Sequence, residues 1–60
     1  MNETELREFV LFLYRNATFP ELFFENVSAK DIIRESKLEA VTEEEIQEAI
    51  EYVKKKLENN

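Results

Sequence analysis

Val41-Thr42-Glu43-Glu44-Glu45-Ile46-Gln47-Glu48-Ala49-Ile50-Glu51-Tyr52-Val53-Lys54-Lys55-Lys56-Leu57 is the stretch that decides the fold. Ile46, Ala49, Ile50, Val53 and Leu57 recur at the i, i+3, i+4, i+7 spacing of one helical face. Thr42 and Glu45 have the spacing of a capping box, and Val41 and Ile46 sit where its hydrophobic staple belongs. Acids crowd the start and Lys54, Lys55 and Lys56 the end, both favourable to the helix dipole. Glu51 and Lys55 are placed to pair one turn apart. A helix over about 43–58 is expected.

Working back towards the N-terminus, the same start signal recurs. Ser28 with Asp31, stapled by Val27 and Ile32, marks a helix over about 29–37, with Ile32, Ile33 and Ser36 facing inward. Thr18 with Glu21, stapled more weakly by Ala17 and Leu22, marks a short helix over about 19–25, with Pro20 in its first turn. Asn2 with Glu5 caps a helix over about 3–16. Leu6, Phe9, Val10, Leu13 and Ala17 form its inner face, widened by Phe12 and Tyr14, while Leu11 points away among Arg7, Glu8 and Arg15. Asn16 and Asn26 each precede a cap by two residues, and Asn tolerates the left-handed conformation that ends helices. Asn2, Asn16 and Asn26 also spell glycosylation sequons, but capping is the better reading of these residues. No segment alternates as a strand does. The expected fold is all-α: a small three-helix bundle with an extra short helix between the first and second long ones, in a single domain over 1–60.

Composition narrows the chemistry. The chain has 60 residues, no Cys and no His, which removes disulfides, thiolate metal sites and the commonest general base. Without Gly no glycine-rich phosphate loop can form. The Glu43, Glu44, Glu45 and Glu48 cluster splays around a helix start instead of converging as cation ligands do. Ser28 is explained as a cap, and a bundle this small is expected to lack the cleft typical of ligand sites. No catalytic residue, metal ligand or cofactor is therefore assigned, and neither an enzyme nor a small-molecule binder is expected. The N-terminus is acidic where a leader would be basic. The longest apolar run, from Phe9 to Tyr14, is far short of the roughly 20 residues that span a bilayer. A cytoplasmic protein with no membrane partner is the expectation.

Fourteen acids against eight bases give a net charge of −6, which repels phosphate backbones and favours basic partners. The segment Phe19-Pro20-Glu21-Leu22-Phe23-Phe24 is apolar on nearly all sides, and a short surface helix cannot bury every face in one small bundle. Leu11, Phe12, Phe19, Phe23 and Phe24 are therefore the candidate partner-binding residues, since surplus apolar surface marks a protein interface or a homodimer seam. The expected function is a small acidic interaction module, an accessory subunit or inhibitor docking on a larger partner, such as a nucleic-acid-processing enzyme.

From Ser28 onward the cadence resembles a helix-turn-helix. Ser28-Ala29-Lys30-Asp31-Ile32-Ile33 is similar to the first helix of such motifs, and Ile46, Ala49, Ile50 and Val53 to the apolar ladder of the second. The resemblance implies a nucleic-acid-binding regulator, whose positive residues would be Lys30, Arg34, Lys37, Lys54, Lys55 and Lys56. The sequence departs from that pattern in a long connection without Gly, in the acids Glu43-Glu44-Glu45 where base and phosphate contacts belong, and in having no wing hairpin. Direct nucleic-acid binding is accordingly the weaker alternative. A third reading is an acidic mimic of nucleic acid, with Glu rows in place of phosphates.

Overall fold

Two reciprocal caps start the long helices in the computed structural model, which describes residues 2–59. Asn2 accepts from the Glu5 N–H at 2.8 Å while the Glu5 carboxylate accepts from the Asn2 N–H, opening α1 (Glu3–Arg15). Thr42 Oγ1 accepts from the Glu45 N–H at 3.2 Å and the Glu45 carboxylate from the Thr42 N–H at 3.0 Å, opening α4 (Glu43–Glu58). Each pair satisfies donors that a helix start leaves without intrahelical partners. Between these helices lie a 3₁₀ turn (Pro20–Leu22) running into α2 (Phe23–Asn26), and then α3 (Ala29–Ser36). The described residues are all-helical or connecting, with four α-helices and no strand.

The other two expected caps do not form. Ser28 holds the N-cap position of α3 in extended conformation, but its side chain makes no capping hydrogen bond. Asp31, the expected reciprocal partner, instead accepts from Arg34 at 2.9 Å. Thr18 is not a cap at all: Phe19 precedes the 3₁₀ turn, without a side-chain bond. Proline explains the shift, because Pro20 disfavours helical φ/ψ at Phe19 and its fixed φ suits the first helical position.

Helices end differently from the expectation as well. Asn16 is not left-handed (φ −99°, ψ 4°); its side-chain amide donates to the Phe12 carbonyl at 2.8 Å. Asn26 does the same to the Leu22 carbonyl at 3.2 Å. Both asparagines thus add a side-chain donor to a carbonyl four residues back and leave the backbone unstrained; the Phe12 carbonyl also accepts from the Asn16 N–H at 3.1 Å. The left-handed residues are Lys37 (φ 53°) and Ala40 (φ 59°). Lys37 ends α3 one residue earlier than expected, and the Leu38 N–H returns to the Ile33 carbonyl at 3.1 Å. This is the wrapped ending usually made with Gly, and Leu38 and Ile33 both pack on the core as it requires.

α4 is the spine of the molecule, since α1 and α3 both pack against it. Its stripe of Ile46, Ala49, Ile50 and Val53 is buried with Leu6 and Val10 of α1 and Ala29 and Ile32 of α3. Val10 and Ile46 are fully enclosed, and each such side chain contributes roughly 1.5–3 kcal/mol by leaving water. Phe9, Leu13 and Leu57 are half-buried at the edge of this cluster. Phe12, expected to widen the inner face of α1, stands outside it at 59% exposure. Leu11, expected to point away from the fold, is half-buried against the core. The ion pairs among the described residues are Arg7 with Glu3 and Arg34 with Asp31; Glu51 and Lys55 do not pair.

Candidate functional site

The chain between α1 and α3 is short, aromatic and anchored at one end. Phe23 and Phe24 pack edge to face with ring centroids 5.0 Å apart. Tyr14, at the end of α1, stacks on Phe24 at 5.4 Å and meets Phe23 edge-on at 5.9 Å. Three mutually packed rings of this kind hold a single-turn helix that has little intrinsic stability of its own. Turning Phe23 and Phe24 inward leaves other side chains of the segment outside. Phe19 is 62% exposed and Leu22 42%.

Beside these two residues lies an open groove of about 450 Å³. Leu13 of α1, Phe19 and Leu22 of the 3₁₀ region, Phe23 of α2 and Ile32 of α3 supply its apolar surface. Among the described residues, Asp31 and Glu35 are the ionisable groups that line it. Surface concavities of ligand size therefore do occur on this small fold, contrary to the expectation from its length. The groove is a shallow trough between helices, without the enclosure that buries most of a small ligand.

A second groove, of about 390 Å³, lies between α1 and α4. Leu11, Tyr52 and Leu57 form its apolar part, with Arg7, Arg15 and Lys56 around them. The Arg7 guanidinium lies 3.7 Å from the centre of the Tyr52 ring, and the Lys56 ammonium 5.9 Å from it. Arg7 Nε is buried without a hydrogen-bond partner among the described residues, while Nη2 of the same guanidinium pairs with Glu3, so the carboxylate and the ring face together compensate the cation.

The five candidate partner-binding residues do not form one patch. Phe19 and Phe23 share the first groove. Leu11 belongs to the second. Phe24 borders a further depression with Tyr14 and Lys54. Phe12 projects from α1 one helical turn from Phe9 and Asn16 and next to Leu13. Leu22 and Tyr52, both exposed, were not singled out from sequence. The signal for Leu22 lay in a segment with more apolar faces than neighbours to cover them, and that for Tyr52 in its place off the apolar stripe of α4.

The six basic residues of the alternative reading, Lys30, Arg34, Lys37, Lys54, Lys55 and Lys56, are all exposed. Arg34 is turned towards Asp31, and the first turn of α4 presents Glu43, Glu44 and Glu45. Among the described residues there is no group of three side chains placed to hold a metal ion and no helix long and apolar enough to cross a membrane. No protein-family model matches the chain, nor does any curated protein or solved structure.

Proposed function

We propose that this chain is a small acidic interaction module, an accessory subunit or inhibitor that docks on a larger protein without catalysing a reaction itself. In this reading α1, α3 and α4 form a three-helix bundle, α3 and α4 with helix-turn-helix-like cadence, and the bundle is a frame that holds an apolar docking face. The observation that carries the proposal is the exposure of Phe12 and Phe19 beside a core that closes without them. An exposed aromatic ring keeps apolar area in water, and a partner that covers it recovers the free energy of burial. Phe is also among the residues enriched where interfaces are fully buried. Direct nucleic-acid binding draws less support, because the acids of α4 stand where contacts to phosphate would be made.

Quantitative capture from an extract of the source cells tests this. Tagged wild type and a Phe12→Ser/Phe19→Ser double variant of matched helical content are compared by mass spectrometry. A protein retained by the wild type and lost by the variant is the expected result. Equal retention by both, or no partner and no self-association at high concentration, overturns it.

A further inference from the structure

We infer that the groove between α1 and α3 receives a basic amphipathic helix of another protein. The inference rests on the docking reading above and names the occupant. Three observations lead to it. First, α4 covers α1 and α3 along one flank, and none of its residues lines this groove. The trough is thus a place where one more helix could lie between two existing ones, its side chains meeting Leu13, Phe19, Leu22 and Ile32. Second, the described residues offer no strand edge, so a partner segment cannot dock by extending a sheet. Laying an apolar stripe into a hydrophobic groove is a mode that suits a helical surface of this shape. Third, the ionisable groups of the lining are both acids, Asp31 and Glu35, one helical turn apart on α3 at its border; Asp31 is held by Arg34 outside the lining, and Glu35 has no salt-bridge partner among the described residues.

That charge also selects among occupants. A second copy of this chain would bring together two molecules of net charge −6 each, and among the described residues it carries no basic apolar helix to offer the groove's carboxylates. Like charges juxtaposed across an interface oppose association. A helix with Leu or another apolar residue at i, i+3, i+4 and i+7, flanked by Lys or Arg, meets both requirements. Its apolar stripe covers Phe19 and Leu22, and its flanking cations reach Glu35 and share Asp31 with Arg34.

Titration calorimetry and backbone amide NMR with defined peptides test the inference. The probe is an 18-residue helix-forming peptide of Leu, Ala and Lys with that spacing. Controls are a twin with Glu for every Lys and a scrambled peptide of the same composition. At low salt the basic probe should bind at least tenfold more tightly than the acidic twin or the scramble. Amide shifts should centre on Leu13, Phe19, Leu22 and Ile32. Asp31→Lys/Glu35→Lys should weaken binding at least tenfold, and Asp31→Asn/Glu35→Gln severalfold; the second variant decides if charge reversal disturbs α3. Equal binding of the basic and acidic helices, undiminished binding to the neutralised variant, shifts centred elsewhere, or dimerisation through Phe19 would each overturn the inference. If the probe fails while capture of a cellular protein still depends on Phe12 and Phe19, the docking reading stands and the basic helix is wrong. If capture too is indifferent to those residues, both fail.

Discussion

Replacing Ile46 with Ala probes which apolar residues hold the fold and which are surplus to it. Ile46 is 0% exposed and lies on the helix that joins α1 to α3. Truncation removes about three methylene equivalents, about 2.4 kcal/mol at ~0.8 kcal/mol each. The cavity left behind carries the cost to between about 3 and 4 kcal/mol. An unfolding entropy of about 2.1 cal/mol/K per residue makes each kcal/mol worth about 8 °C in a chain of 60 residues. Ile46→Ala should therefore lower Tm by about 25–30 °C. Phe12→Ala is the comparison. With 59% of Phe12 exposed, roughly 80 Å² of a ring residue of about 200 Å² is covered, an upper bound of about 2 kcal/mol. Residual burial in the unfolded chain and the better helix propensity of Ala reduce this to about 1 kcal/mol, or about 8 °C. Thermal unfolding followed by far-UV circular dichroism reads both. A Phe12→Ala loss as large as that of Ile46→Ala would refute the division between core and spare surface.

Three further outcomes follow from the helix ends and from the contact between α1 and α4. Thr42→Ala should cost about 1 kcal/mol by removing a working cap, whereas Ser28→Ala should change stability by less than about 0.5 kcal/mol, because the Ser28 hydroxyl makes no capping bond; urea unfolding midpoints separate the two. Lys37→Gly should stabilise by about 0.5 kcal/mol, the relief of left-handed strain outweighing the extra freedom of glycine in the unfolded chain, and a lower midpoint would contradict the assigned backbone. In a double-mutant cycle of Arg7→Ala and Tyr52→Ala, a coupling of about 0.5–1 kcal/mol is expected from the stacked cation, and a coupling near zero would show that the ring does not compensate Arg7.

How far the structure could be read in advance depended on whether a signal was local. The stripe of Ile46, Ala49, Ile50 and Val53 and the caps at Asn2 and Thr42 are set by spacing alone, and they appear as spacing implies. Ser28 and Thr18 carry the same local signal without the cap, because other contacts compete for the groups involved: Arg34 takes Asp31, and Pro20 shifts the helix start to Phe19's successor. Asn16 and Asn26 sit at helix ends as expected, but by donating from the side chain. The left-handed position fell to Lys37, which no propensity marks, in a chain that has no Gly to place there. Apolar surplus was legible from composition, whereas its distribution was not. Half-burying Phe23 and Phe24 against Tyr14 while leaving Phe12 and Phe19 outside depends on how the helices meet, which periodicity within one helix does not encode.

The docking account stands on aromatic rings that are in water when the chain is alone. A soluble gadolinium chelate, added at a dilution where sedimentation gives the monomer mass, reports this ring by ring through proton relaxation. Strong enhancement at the Phe12 and Phe19 rings, with Val10 and Ile46 shielded, is the predicted result. Phe12 and Phe19 as shielded as Val10 in that monomer would contradict it.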